Sequence, residues 1–236
     1  MNINLASISE SGPRPKNEDS ILAESFEDGV TVIAVADGLG GHFDGSLASN
    51  IATRFLRDKI LAGHTESLAE VFQNIHDEIL SHQNGTNESF QMATTLTAAV
   101  IKDNKMYGAH CGDTRCTLLR GNGGRKLTTE HTEAQRLFES GKLSKNELQN
   151  YPRKNILHSA LGGKSTPRID TFDFDLESGD RIFISSDGFH EIIRLRELIL
   201  LVNGTNDVNK IISDLKSELN HREIEDNFSL VVAAVS

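Results

Sequence analysis

Four aspartates of this chain stand in the same local setting, at one end of an apolar, strand-like run. Asp37 follows VTVIAVA, Asp113 follows MYGAHCG, Asp187 follows RIFISS, and Asp226 stands just before FSLVVAAV. Three of the four have a glycine directly beside them. A single aspartate in such a place is usually a turn or cap residue. Four at strand ends predict one shared site, provided that the fold brings those strand ends together.

Carboxylates that converge within a few ångströms cannot all remain ionised unless cations lie between them. Hard oxygen ligands of this kind select magnesium or manganese over zinc or copper. Two such ions about 3.5 to 4 Å apart can share a water, lower its pKa and direct it at a phosphorus or carbonyl centre. The glycine after Asp37 suits this chemistry, because the Gly38 carbonyl can approach an ion and no side chain blocks the substrate.

The N-terminal stretch SGPRPKNEDS carries a cation and two more acids. Arg14 offers a planar fork that can grip a phosphate through two hydrogen bonds, and Glu18 and Asp19 are close enough in the chain to reach the same site. Such a cation would be needed, since the formal net charge of -10 repels a phosphorylated substrate. An ordinary exposed charged loop is the alternative for this stretch.

The elements that must position these residues are mostly short strands. Runs rich in β-formers and bounded by turn signals predict strands at 4–9, 30–36, 94–101, 106–111, 116–119, 168–174, 181–185 and 228–235. Apolar residues at helical spacing predict helices within 47–60, 68–79 and 208–219, the first capped by Asp44. Along the chain, strands and helices do not alternate strictly, as they would in a doubly wound parallel sheet. Their order favours mainly antiparallel sheets with helices on the outer faces.

No linker, repeat or low-complexity tract divides the chain, which predicts one domain over residues 1–236. The segment 131–163 is the least regular. It is polar, contains a short helical pattern at 134–138, and resembles in composition the mobile flaps that often border functional sites.

Composition excludes several classes of protein. A pI near 5.4 argues against a nucleic-acid binder. No secretory signal and no apolar run of membrane-spanning length is present, so we expect a cytoplasmic protein without a membrane partner. Cys111 and Cys116 match no zinc motif or disulfide framework, which indicates small buried thiols.

Eight motifs together resemble those of one family. In order they are RPKNED at 14–19, VADGLGGH at 35–42, ATT at 93–95, CGDTR at 111–115, TEHT at 129–132, SALGG at 159–163, SGDRIFISSDGF at 178–189 and EDNFS at 225–229. Their order and spacing are similar to those of the metal-dependent protein serine/threonine phosphatases of the 2C type. The resemblance covers almost the whole chain, and the compact length is similar to the bacterial branch.

The resemblance implies an α+β fold, a four-layer α-β-β-α sandwich of two mainly antiparallel sheets flanked by helices. It also implies two Mn²⁺ or Mg²⁺ ions bridged by Asp37. Asp187 and Asp226 would be the other protein ligands of the first ion, and the Gly38 carbonyl would bind the second. Hydrolysis of phosphoserine and phosphothreonine would then proceed by in-line attack of a hydroxide that bridges the ions, without a phosphoenzyme.

Other site residues follow from the same resemblance. Glu18 and Asp19 would hold metal-bound waters, Arg14 would bind the substrate phosphate, and Asp113 with Asp187 would match a weaker third metal site. Arg14, Asp37 and Asp187 form the expected catalytic set.

The resemblance leaves the proton donor to the leaving group open. Some eukaryotic relatives have a histidine directly after the Asp-Gly pair, where this chain has Leu39. His42 and a metal-bound water are the two candidates. The segment from about 132 to 154 falls where the family has its flap.

The expected partners are phosphorylated proteins and a cognate serine/threonine kinase, with a monomeric enzyme that binds no nucleic acid. Two alternatives stay open at this point. One is a non-catalytic binding module with the same fold, and the other is a phosphatase acting on small phosphoesters or phosphotyrosine, since specificity resides in the groove and flap.

Overall fold

Two antiparallel sheets face each other in the computed structural model, which describes residues 1–39, 44–63, 67–84 and 92–236. The first sheet has, in spatial order, β1 (Ile3–Glu10), β11 (Phe228–Val235), β10 (Arg181–Ser185), β7 (Arg115–Arg120) and β8 (Gly123–Lys126). The second has β2 (Asp19–Ser25), β3 (Thr31–Leu39), β5 (Leu96–Lys102), β6 (Lys105–Cys111) and β9 (Asp170–Asp175), with β4 (Ala93–Thr94) paired to β3.

Helices cover the outer faces of both sheets. The elements are α1 (Gly45–Leu61), α2 (Leu68–Asn84), α3 (Glu133–Glu139), α4 (Lys145–Asn150), α5 (Asp187–His190), α6 (Leu195–Leu201) and α7 (Val208–Leu219). One apolar cluster joins α1 and α2 to the second sheet, another joins α6 and α7 to the first, and a third fills the space between the sheets. The predicted four-layer α-β-β-α sandwich is confirmed.

The strand β3 shows why its apolar run is continuous. Val32 and Ala34 contribute to the cluster under the helices, whereas Ile33 and Val35 contribute to the cluster between the sheets. Successive side chains of a strand point to opposite faces, so a central strand covered on both faces needs apolar residues at every position. This burial fixes the strand whose end carries Asp37.

The sequence predicted eight of these strand regions and all three long helices. The cap is also confirmed, because the Asp44 carboxylate accepts a hydrogen bond from Leu47 N at 3.2 Å. The prediction missed β2 and β8, and it missed the short helices α4, α5 and α6. Within the described part of the chain, no helix is both long and apolar enough to span a bilayer.

Candidate metal centre

The predicted acids meet at one end of the two facing sheets. Asp19 and Asp37 are directly paired residues of β2 and β3. Asp187 follows β10, and Asp113 lies in the turn that joins β6 to β7. The charges of Asp19, Asp113, Asp187 and Asp226 all act to raise the pKa of Asp37. Five carboxyl groups from distant parts of the sequence therefore share one site.

Burial and mutual repulsion raise the pKa values of four carboxyl groups in this cluster, those of Asp19, Asp37, Asp113 and Asp187. For Asp37, burial is the largest cause of the raised pKa and the neighbouring Asp19 is the next. Burial likewise raises the pKa of Asp19 to about 6 and that of Asp113 to about 8. The pKa of Asp187 is also raised, mainly by burial, and a hydrogen bond to Asp37 partly offsets the shift. Such a cluster favours either bound protons or bound cations.

One oxygen of Asp19 fits a hydrated cation. Its Oδ2 accepts a hydrogen bond from Ser186 Oγ at 2.9 Å, whereas its Oδ1 is buried without a hydrogen-bond partner in the described residues. Buried carboxylate oxygens are rarely left unpaired. In the same described ranges, no three His, Cys, Asp or Glu side chains could hold an ion alone. Water and backbone carbonyls would complete the coordination, as is usual for Mg²⁺.

Close backbone packing forms the floor of the site at Gly38. Gly38 N donates to Glu18 O at 3.1 Å. A Cβ on Gly38 would lie 2.2 Å from Gly45 O and 2.6 Å from Glu18 O, so a larger residue would push these segments apart. Glu18 is half-buried beside them, and burial is the largest cause of its raised pKa.

Two threonines hold the backbone of Asp37. Thr94 Oγ1 and Thr95 N donate to Asp37 O at 2.9 and 2.8 Å, and Asp37 N donates to Thr95 Oγ1 at 3.0 Å. Asp37 therefore has its main chain fixed on both sides. The motif at 93–95 contributed to the family resemblance, but sequence reasoning gave it no structural role.

Asn227 is a positioning residue that the sequence analysis missed. Its Oδ1 accepts from Glu18 N at 2.9 Å, and its Nδ2 donates to Ser11 O at 2.8 Å and to Lys16 O at 3.0 Å. This buried amide fastens the N-terminal loop to the start of β11, beside Asp226. The motif EDNFS contained the residue, but nothing in the sequence indicated its partners.

Arg14 lies at the mouth of the site and remains half-exposed. Its Nη2 pairs with Asp226 Oδ2 at 3.0 Å and its Nε donates to Glu225 O at 3.1 Å. The structure thus places the predicted phosphate-binding cation next to a predicted metal ligand. With half of its side chain accessible, Arg14 can contact a ligand that enters the site.

The turn that carries Asp113 is attached to the base of the predicted flap. His131 N donates to Gly112 O at 2.6 Å, Gly112 N donates to His131 Nδ1 at 3.2 Å, and His158 N donates to His131 O at 2.9 Å. Burial lowers the pKa of His131 and also that of His110, whose pKa falls to about 3. Both imidazoles are therefore neutral near pH 7.

The described part of the predicted flap contains α3 and α4, joined to the body by the bridge between Thr132 and Leu157. His42, one candidate for the proton donor, lies outside the described residues. Cys111 and Cys116 are free and buried, as predicted.

Comparisons with known proteins identify the family. The family model described as Protein phosphatase 2C matches residues 14–226. The serine/threonine phosphatase stp of Listeria monocytogenes is 30% identical over 227 residues, which is 93% of this chain and 90% of that protein. Protein phosphatase PhpP of Streptococcus pneumoniae is 33% identical over 192 residues, 78% of each chain.

A solved structure agrees with the sequence relatives. The serine/threonine phosphatase PstP/Ppp of Mycobacterium tuberculosis superposes with a TM-score of 0.86 at 25% identity, over 99% of both chains. The matched region runs from Arg14 to Asp226 and so contains every predicted site residue. The chain belongs to the protein phosphatase 2C family.

Proposed function

We propose that this protein is a metal-dependent phosphatase that hydrolyses phosphoserine and phosphothreonine in proteins. The observation that carries the proposal is the convergence of four carboxyl groups on that of Asp37, beside the accessible guanidinium of Arg14. The names of the relatives, serine/threonine phosphatase and protein phosphatase, support the same activity. Neither alternative from the sequence is favoured by a feature of this site.

The family is metal-dependent, and the hard oxygen donors of this site fit two Mn²⁺ or Mg²⁺ ions. We assign the first ion to Asp37, Asp187 and Asp226 together with water, and the second to Asp37, the Gly38 carbonyl and water, because side chains of the described residues alone do not complete either set of ligands. Bound there, the ions would supply a lower pKa for a coordinated water and positive charge to offset that of the phosphoryl group.

The remaining residues act through position and charge. Glu18 and Asp19 would orient water, and the orphaned Asp19 Oδ1 supports that role. Arg14 would donate to the phosphoryl oxygens, exchanging its contact with Asp226 for a charge-assisted pair with the substrate. Asp113 and Asp187 would together bind a third ion more weakly. The Asp187 charge helps to raise the pKa of Asp113, which supports their proximity.

The wider setting is also a proposal. The substrate would be a protein phosphorylated by a serine/threonine kinase, and the enzyme would act as a cytoplasmic monomer. The two free, buried thiols support a reducing compartment. Pairing of β1 with β11 along their full length supports one domain over residues 1–236, because it joins the two ends of the chain.

The decisive experiment measures hydrolysis of a phosphothreonine peptide by purified protein in EDTA, and again after Mn²⁺ or Mg²⁺ is restored. A phosphotyrosine peptide of matched sequence and a small aryl phosphate serve as competing substrates. We expect metal-restored activity with preference for phosphothreonine. Folded protein without turnover under any metal would favour the binding module, and preference for another ester would favour the other alternative.

Replacing Arg14 by alanine should raise KM for the phosphothreonine peptide about tenfold and change kcat less. The variant loses a charge-assisted contact to the phosphate but keeps the water that attacks it. Steady-state kinetics at saturating metal would measure both constants. Arg14→Lys should recover part of the effect, since lysine keeps the charge but lacks the planar fork. Unchanged KM and kcat would make Arg14 a surface charge only.

Replacing Asp113 by alanine should lower activity about tenfold while the two tighter ions remain bound, as expected for loss of an accessory charge at the site. Calorimetric titration with Mn²⁺ would count the ions, and peptide hydrolysis would give the rate. Asp173→Ala removes an exposed carboxylate on β9 and is the matched control. Loss of all bound metal in Asp113→Ala would contradict the third-site role.

A further inference from the structure

Arg181 is a buried cation far from the metal centre. It is the first residue of β10 and is 5% exposed, whereas Asp187 follows the other end of that strand. The strand places Arg181 about 13 Å from Ser185, at roughly 3.3 Å per residue. The guanidinium and the carboxyl cluster therefore lie toward opposite ends of the first sheet.

The guanidinium of Arg181 is held by backbone carbonyls and has no carboxylate partner. Its Nη1 donates to Val202 O and to Thr205 O, and its Nη2 donates to Gly121 O at 3.2 Å. Its Nε is buried and donates to no acceptor in the described residues. Among the ion pairs of those residues, none includes Arg181. Two of its five N–H groups are thus left without a bond.

The neighbouring Arg120, unlike Arg181, has carboxylate partners for its guanidinium. Arg120 uses its Nε and Nη2 to grip Asp180, and Glu177 also pairs with its guanidinium. Arg181, one residue beyond Asp180, has no such partner, and burial alone lowers its pKa. A buried charge without a counter-charge is unfavourable. The fold therefore leaves a positive charge that an anion from outside can neutralise.

Arg181 lines a cleft of about 400 Å³ formed by three turns. The turns are the one between β7 and β8, the one before β10, and the loop between α6 and α7. The side chains in the lining include Arg120, Asn122, Ser178, Asn203, Thr205 and Asn206, and no carboxylate is among the described residues that line it. The walls therefore offer amide and hydroxyl donors beside Arg181, whereas the Arg120 guanidinium is already paired with Asp180 and Glu177.

The loop between α6 and α7 adds backbone donors. The N–H groups of Gly204, Thr205 and Asn206 donate to no acceptor in the part of the chain that the structure describes. Asp207, the next residue, is already occupied by capping α7 through the N–H groups of Asn209 and Lys210. Successive unbonded backbone N–H groups beside a guanidinium are a common arrangement for binding oxyanions.

We propose that this cleft is a second anion site, which binds a phosphate group through Arg181 and the loop at residues 203–206. Guanidinium, hydroxyl, amide and backbone N–H donors together match the tetrahedral oxygens of phosphate. The phosphate is either inorganic phosphate or a phosphorylated side chain. The site is separate from the metal centre and does not depend on the activity proposed for it.

The test is a titration with inorganic phosphate, followed by backbone amide NMR and by the midpoint of thermal unfolding. The full-length Arg14→Ala protein in EDTA suppresses phosphate binding at the metal centre. Sodium chloride at matched ionic strength controls for general salt effects. We expect saturable shifts of the Gly204, Thr205 and Asn206 amides and a higher unfolding midpoint. A titration with a phosphothreonine peptide, stable in EDTA, distinguishes a phosphoprotein from inorganic phosphate as the source.

Two variants decide whether Arg181 is the receptor. Arg181→Gln removes the cation, and Asn203→Asp adds a carboxylate at an exposed position of the cleft without touching the buried network. Each should weaken phosphate binding at least about tenfold. If Arg181→Gln fails to fold, Asn203→Asp carries the test. Amides 204–206 that stay unchanged at saturating phosphate, or that shift equally in Asn203→Asp, would overturn the proposal and leave Arg181 as a structural clamp of the loop.

Discussion

Replacing Asp187 by asparagine should lower turnover of the phosphothreonine peptide about a thousandfold. Asp187 directly follows Ser186 after the end of β10, and its charge helps to raise the pKa of Asp37, the central carboxyl of the cluster. Asparagine keeps the shape of the side chain but not its charge, so it would no longer hold a cation firmly. A loss of about 4 kcal/mol, part of what a metal ion contributes to the transition state, corresponds to about a thousandfold in rate.

The fold should survive this change, because the buried like charges that surround Asp187 are reduced by one. Thermal unfolding in EDTA would verify that, and we expect Asp187→Asn to be at least as stable as the unmodified protein. Asp173→Asn, an exposed position on β9, is the matched control for kinetics. Turnover within a few-fold of normal in Asp187→Asn would remove this residue from the catalytic set.

The metal-free protein should lose stability as the pH rises from about 7 to about 8, and bound Mn²⁺ should abolish that loss. Burial and neighbouring carboxylates raise the pKa of Asp113 to about 8, and the pKa of Asp37 is also well above its usual value. In this range the folded state holds protons that the unfolded state has already released. Unfolding then releases protons, so a higher pH favours the unfolded chain.

Other buried groups define the useful pH window. Burial lowers the pKa of His110 to about 3 and also lowers that of His190, so both take up protons on unfolding below about pH 6.5. Their effect has the opposite sign, because it makes stability rise with pH in that lower range. Burial raises the pKa of the Cys111 thiol to about 12, which adds a further loss of stability above about pH 8.5. Between about pH 6.5 and about pH 8.5, the carboxyl cluster therefore dominates the pH dependence of the free energy of unfolding.

Urea unfolding in EDTA at about pH 7 and about pH 8 would measure the effect as a change in the free energy of unfolding. Asp113→Asn should show a smaller change, since its amide does not titrate. Added Mn²⁺ should raise stability at the higher pH more than at the lower, because metal and protons compete for the same oxygens. A metal-free protein that is equally stable at both pH values would contradict the repulsion inferred for the cluster.

The sequence predicts the strands that are buried on both faces far better than the strands at the margins. The strand β3 contains an unbroken apolar run from Val32 to Ala36, whereas β2, DSILAES, has only three consecutive apolar residues between polar ones. The strand β8, GGRK, is exposed along its length, and it exists because its backbone pairs with β7. Such pairing depends on the partner strand, so local propensity cannot reveal it.

The same limit applies to the site. Asp37, Asp113 and Asp187 were visible as acids at the ends of apolar runs, because strand ends can be located from the sequence. Asn227 was not, since its hydrogen-bond partners lie between 209 and 216 positions away along the chain. A neutral amide also carries no charge pattern that would suggest a role. Its importance appears only when the N-terminal loop and β11 are seen together.

The position of the last strand has a consequence for the timing of enzyme maturation. β11 lies inside the first sheet, between β1 and β10, and Asn227 at its start secures the loop that carries Arg14 and Glu18. During translation, β1 is synthesised long before β11, the strand with which it pairs. Contacts so distant in sequence form slowly. The N-terminal loop that carries Arg14 and Glu18 is therefore secured by Asn227 only once β11 has been synthesised and has paired with β1.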